Sequence, residues 1–183
     1  MIYIVSGLPR SGTSMMMRML AEGGLPVLVD ADNPSTEMNP GGAYAFEPTK
    51  TLGNAHTRDW LAGADGKAVK VVSMFLPCLP KEYQYKVIFM ERDYKEGAES
   101  WRQFTANHGH EVPADADRRK MEAENMKRWL ARQENMDVLL VDYNGLIFDP
   151  VDSCKEIAAF LGATLDTERM RAVPNLESYR NRA

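Results

Sequence analysis

The chain has 183 residues, 44% of them hydrophobic and 26% charged, which is globular composition and enough length for one substantial core, so a single domain over 1–183 is expected. A net charge of −4 argues against a broad nucleic-acid or membrane-surface footprint and leaves room for a local basic pocket. Two cysteines, Cys78 and Cys154, lie too far apart for a disulfide framework or a zinc ligand set. With no leader-like start and no apolar run near the roughly 18 residues of a membrane span, the expectation is a cytoplasmic protein.

In chain order, Ile2 to Val5 reads as a short strand that breaks at Ser6-Gly7. Met15, Met16, Met19 and Leu20 then share one helical face up to Gly23-Gly24. Val27 to Val29 reads as a second strand, and the polar, Pro/Gly-rich stretch from Asp30 to about Tyr44 as loop. Residues 48–62 read as weak helix, Ala68 to Ser73 as a strand and Lys86 to Glu91 as a buried strand. Helical signal resumes after Asp93, and 107–117 is loop. Arg118 to Glu134, with Met121, Met126, Trp129 and Leu130, reads as an amphipathic surface helix. Asp137 to Asp142 is a further strand. Asp149 and Pro150 then open a last helix, whose Val151, Cys154, Ile157, Ala158 and Leu161 form an apolar stripe closed by Gly162. The twelve methionines read as packing residues. Strands alternating with helices predict an α/β fold, a three-layer α/β/α arrangement with a central, mainly parallel sheet and sites at the carboxyl ends of its strands.

The chemistry gathers at Gly7-Leu8-Pro9-Arg10-Ser11-Gly12-Thr13-Ser14. Two glycines five apart, after a strand and before a helix, are the spacing of a P-loop, so the fold is expected to be P-loop NTPase-like. Its backbone N–H groups wrap an anion where the helix dipole adds positive potential. The lysine that nucleotide triphosphatases carry after the second glycine is Thr13 here, and the nearest cation is Arg10, inside the loop. Further on, Glu91-Arg92-Asp93 closes a strand and Ser100 follows eight residues after Arg92. An arginine at a strand terminus and a hydroxyl two helical turns later can converge on one phosphate. Arg92 pairing with a surface carboxylate is the alternative.

Together these segments resemble the sulfotransferase family. The loop is similar to that family's 5'-phosphosulfate loop, in the arginine form of the tyrosylprotein and several bacterial branches, and Arg92 with Ser100 is similar to its 3'-phosphate motif. The stretch from Val141 through Asp149-Pro150 to Gly162 resembles the capped helix near the end of the domain, so the likeness spans nearly the whole chain. The resemblance implies 3'-phosphoadenylyl sulfate (PAPS) as co-substrate and no metal. A sulfuryl group carries less charge than a terminal phosphate, and its transfer can proceed without magnesium. It further implies that Arg10, Ser11, Gly12, Thr13, Ser14, Arg92 and Ser100 bind the donor. The partner is a small-molecule or glycan acceptor, with no nucleic acid or membrane, and the oligomeric state is left open.

Cytosolic members of that family carry Lys-x-His beside the acceptor. Here the run is Lys70-Val71-Val72-Ser73, and Val72 cannot accept a proton. Lys70 stays as a candidate for stabilising charge on the bridging oxygen, against the alternative of a strand-start lysine reaching solvent. Asn39-Pro40-Gly41-Gly42-Ala43-Tyr44-Ala45-Phe46-Glu47 looks like the Asn-Pro-x-Gly...Glu segment of bacterial members. Glu47 is therefore the candidate base, its carboxylate expected to be partly desolvated between Phe46 and Pro48. A dipole-facing glutamate at a helix start is the alternative.

His108-Gly109-His110 lacks a third ligand at convincing spacing, so no metal site is expected. Trp101 and Phe104 read as core, and Tyr179 to Arg182, with Arg180 and Arg182, as a frayed terminus. Two rival functions fit part of the pattern. One is a P-loop kinase using Mg-ATP, with Asp142 holding the metal. The other is a non-catalytic nucleotide-binding module.

Overall fold

The computed structural model describes residues 1–36, 39 and 41–174. Five parallel strands form one sheet in the order β2-β3-β1-β4-β5, with β1 Ile2–Gly7, β2 Val27–Leu28, β3 Ala68–Lys70, β4 Tyr85–Glu91 and β5 Met136–Asp142. In register, Ile4 of β1 lies opposite Val69 on one side and Val87 on the other. β1 is central because Ile-Tyr-Ile-Val is β-branched and aromatic and suits burial on both faces.

Alternation along the strands feeds two cores. Val5, Ile88, Met90 and Val141 pack under Met16, Met17, Met19 and Leu20 of helix α1 (Thr13–Glu22), under α4 (Tyr143–Phe148) and under Cys154, Ile157 and Leu161 of α5 (Pro150–Leu161). Ile2, Ile4, Val69, Val87 and Phe89 face the other way, toward Leu52, Leu61, Leu76 and Leu130. Three layers result, as the strand and helix alternation predicts. From β1 the chain crosses to β2 and returns through β3, then moves to the opposite side for β4 and β5. The carboxyl end of β1 is therefore the topological switch point, where a parallel sheet opens a crevice.

Local departures from the sequence reading have physical causes. The weak helix over 48–62 is three separate 3-10 turns, Glu47–Thr51, Ala55–Thr57 and Asp59–Gly63, with the break between the first two at Gly53-Asn54, where glycine disfavours a helix interior and Asn54 caps the next turn by accepting from the His56 N–H. The strand expected to reach Ser73 ends at Lys70, and Ser73–Cys78 forms a 3-10 turn containing Pro77. The helix read from Arg118 is α3, Ala116–Leu130, capped by the Asp115 side chain on the Arg118 N–H. Its inner stripe is Arg119, Ala123, Met126 and Leu130, so Met121 is left 59% exposed. On α5, Val151 is likewise off the buried stripe. Two short helices carry too few residues to show a period: α4, capped by Asp142, and α6 (Thr167–Arg171), capped by Asp166. The remaining helix, α2 (Tyr94–Ala106), is opened by Asp93, whose carboxylate accepts from the Lys95 and Glu96 N–H groups.

Candidate functional site

The site is built on the turn between β1 and α1. Gly7, at φ 150°, passes so close to its surroundings that a Cβ there would lie 2.4 Å from Ser11 Oγ and 2.7 Å from the Met90 carbonyl. Gly12 has φ 95° and lies under the Tyr143 ring, 2.3 Å from where a Cβ would stand. Arg10 itself is left-handed, at φ 69°, a conformation that costs a side-chain-bearing residue about 1–2 kcal/mol. A buried clamp holds it there: Arg119 of α3 donates to the Pro9 carbonyl at 2.6 Å. Gly97 of α2 gives that guanidinium room, since a Cβ would sit 3.1 Å from it. The loop thus presents its backbone at the head of a ten-residue helix, whose first N–H groups have no partner within the helix. Ser11 Oγ and Arg119 Nε are buried with no hydrogen-bond partner among the described residues and line one small cavity behind the loop.

Three cations surround this cradle. Arg10 donates from Nε to Ser100 Oγ at 3.2 Å and from Nη1 to Asn39 Oδ1 at 2.9 Å, with its guanidinium 5.4 Å from the Phe104 ring centroid. Arg92, just past β4, pairs with Glu96 at 3.2 Å, reaches the Arg10 carbonyl at 3.4 Å and lies 4.5 Å over Tyr143. Lys70 leaves the end of β3 to donate to Ser14 Oγ at 3.2 Å and to the Ala43 carbonyl, which also accepts from Ser14 at 2.9 Å. Burial, then Arg10, then Lys50 bring the Lys70 pKa down to about 8. Burial, then Arg92, lowers that of Arg10. Cations that depress one another's proton affinity form a pocket of positive potential matched to an anion.

The structure therefore brings Arg10, Ser11, Gly12, Thr13, Ser14, Lys70, Arg92 and Ser100 to one end of the sheet. The partner of Ser100 here is Arg10, while Arg92 is held by a buried carboxylate, not a surface one. Glu47 stands apart. Its backbone N–H donates to the Asp30 carboxylate at 3.0 Å and its own carboxylate pairs with Lys50, but the side chain is 65% exposed. The expected shelter is absent because Phe46 turns away to pack edge-on against Trp60, centroids 5.4 Å apart. Trp101 and Phe104, read as core, belong to neither core cluster. They stack on each other at 5.7 Å, beside Arg10.

Tyr143, Arg119 and Glu96 were missed. Their roles depend on contacts between α2, α3, α4 and the loop that no local spacing reveals. Among the described residues no three His, Cys, Asp or Glu side chains are placed to hold a metal ion. Likewise, no helix among them is long and apolar enough to cross a membrane. Pro40 and residues 179–182 lie outside the described residues.

Known proteins share this fold. A model of the sulfotransferase domain family covers residues 3–181. A mouse sulfotransferase solved in complex with PAP superposes with a TM-score of 0.61 at 16% identity, covering 100% of this chain and 67% of that one. A sulfotransferase from Mycobacterium tuberculosis H37Rv gives 0.57 at 17% identity, over 97% of this chain and 73% of that one. The sulfotransferase domain of the curacin biosynthetic pathway gives 0.54 at 15% identity, over 99% and 78%. No curated protein sequence matches. With the glycine cradle, its converging cations and a family match over almost its whole length, the chain belongs to the sulfotransferase domain family.

Proposed function

We propose that the chain transfers the sulfuryl group of PAPS to a hydroxyl or amine of a small-molecule or glycan acceptor, releasing adenosine 3',5'-bisphosphate (PAP). The observation that carries this is the convergence of Arg10, Lys70 and Arg92 on the glycine cradle, with the pKa values of Arg10 and Lys70 pushed down. Such crowding is relieved by an anionic ligand.

In this reading Arg10 and the N–H groups at Ser11, Gly12, Thr13 and Ser14 hold the 5'-phosphosulfate. Arg92 and Ser100 hold the 3'-phosphate. The acceptor oxygen attacks sulfur in line with the bridging S–O bond. As the new S–O bond forms the old one breaks, and its electron pair goes to the departing phosphate oxygen. Lys70 and Ser14 stabilise that oxygen. Glu47 takes the proton from the acceptor. Its support is the likeness of the run from Asn39 to Glu47 to the corresponding segment of bacterial members of the family. A reducing, cytoplasmic setting belongs to the same reading, supported by Cys78 and Cys154 being free thiols.

The Mg-ATP kinase reading loses its best residue. Asp142, the candidate metal holder, is engaged as the cap of α4, accepting from the Asn144 and Gly145 N–H groups at 3.2 and 2.8 Å. The test of the transfer mechanism is Glu47→Gln assayed with labelled PAPS and an accepted substrate. Loss of about 100-fold or more in kcat with PAP affinity kept is expected of a general base. Wild-type turnover would remove Glu47 from the mechanism.

A further inference from the structure

Between β1 and α1 the run Leu8-Pro9-Arg10-Ser11 is a turn, closed by the Ser11 N–H donating to the Leu8 carbonyl at 3.1 Å. Proline at its second place and a left-handed residue at its third, Arg10 with φ 69°, give it the form of a type II turn. That third place ordinarily holds glycine, because any side chain there costs stability. Here it holds Arg10, whose side chain the donor site uses. The turn is therefore drawn toward the type I form, which suits a residue with a side chain: Arg10 would take a negative φ and the peptide between Pro9 and Arg10 would be flipped over. A restraint from outside the loop has to oppose that flip.

Arg119 of α3 supplies it. Its Nη2 donates to the Pro9 carbonyl at 2.6 Å, and the side chain, 9% exposed, lies behind the loop in space that Gly97 of α2 leaves open. We propose that Arg119 is a positioning residue for the sulfate donor: it selects the peptide orientation in which the Arg10 N–H, and not the Pro9 carbonyl, faces the 5'-phosphosulfate. A trans peptide carries its C=O and N–H on opposite sides, so a Pro9 carbonyl drawn back onto α3 turns the Arg10 N–H forward. In the flipped turn a carbonyl oxygen would confront the anion instead. The inference rests on the sulfuryl-transfer reading for the identity of that anion. Its effect belongs to one end of the donor, because Arg119 grips the loop, whereas Arg92, assigned to the 3'-phosphate, is held by Glu96.

The experiment uses the full chain with PAP, adenosine 5'-phosphate and adenosine 3'-phosphate as probes, each affinity measured by calorimetry in wild type and in Arg119→Met. Weakening of PAP and of adenosine 5'-phosphate by about tenfold, the scale of one left-handed residue, with adenosine 3'-phosphate within about twofold of wild type, is the expected result. Equal weakening of all three probes would make Arg119 a source of general stability or of positive potential, and overturns the assignment. So does an unchanged affinity for adenosine 5'-phosphate. If Arg119→Met does not fold, Gly97→Ala decides by the same criteria, with a loss of at least about threefold expected. It keeps the arginine charge and gives α2 a better helix former, while its Cβ would sit 3.1 Å from Arg119 Nη2 and 3.2 Å from Nε. Amide exchange across residues 8–14, followed by mass spectrometry without ligand, is expected to quicken by about tenfold relative to β4 in the same variant. If wild type binds none of the three nucleotides, the donor reading falls and the exchange data alone judge the clamp, with exchange as slow as in wild type overturning it.

Discussion

Replacing Lys70 by methionine separates a cation held for a ligand from one held for stability. Burial, then Arg10, then Lys50 bring its pKa from 10.5 down to about 8, which corresponds to about 3 kcal/mol against the charged form in the unliganded fold. Methionine has a similar reach and no charge. The variant forfeits the hydrogen bonds to Ser14 and the Ala43 carbonyl, about 1 kcal/mol each, although Ser14 still donates to that carbonyl. The net expectation at pH 7 without ligand is a gain of about 1–2 kcal/mol, or roughly 2–8 °C in Tm for a protein of this size.

The pH dependence has a definite sign. Between about pH 8 and 10.5 the unfolded chain keeps the Lys70 proton that the folded protein has lost. The lysine contribution therefore makes wild-type stability rise with pH across that window, and above it the variant, which still lacks the hydrogen bonds to Ser14 and Ala43, becomes the less stable by about 1–2 kcal/mol. With saturating PAP the order reverses at pH 7, because the wild-type ammonium then has its anion. Scanning calorimetry of both proteins at pH 7 and pH 10, with and without PAP, reads all four quantities. A variant less stable than wild type at pH 7 without ligand, or a PAP-induced shift equal in the two proteins, would refute the reasoning.

Gly12→Ala places a Cβ 2.3 Å from the Tyr143 ring at φ 95°, so a stability loss of about 2–3 kcal/mol in denaturant titration is expected, together with loss of PAP binding. Arg92→Met leaves the buried Glu96 carboxylate without its arginine. A loss of about 3–5 kcal/mol in stability and of about 1.5–3 kcal/mol in PAP binding is expected, by denaturant titration and calorimetry respectively.

The strands and the glycine loop were legible in the sequence because their signals are local. Ile2 to Val5 is apolar throughout, and Gly7 and Gly12 stand at the two points where the loop leaves no space for a Cβ. Arg10, Arg92 and Ser100 were legible as a set through their spacing, but their pairing was not. Ser100 meets Arg10 because α2 crosses behind the loop, and that crossing depends on Gly97 admitting Arg119. Phe46 is the opposite case. Its neighbour Glu47 was read as sheltered, yet the ring found a better site against Trp60, 14 residues away in sequence, a tertiary choice that local sequence does not encode. Likewise α4 escaped notice because six residues show too little period, and Tyr143, which covers Gly12 and Arg92, went with it.

The central claim is that the cradle of Arg10, Lys70 and Arg92 is built for the sulfate donor. Its most direct test is a titration of the purified chain with PAP and, separately, with Mg-ATP. Micromolar or tighter PAP binding without added metal, abolished or weakened by at least about tenfold in Arg92→Met, with Mg-ATP far weaker, is the predicted result. Tight Mg-ATP binding with no response to PAP would contradict it.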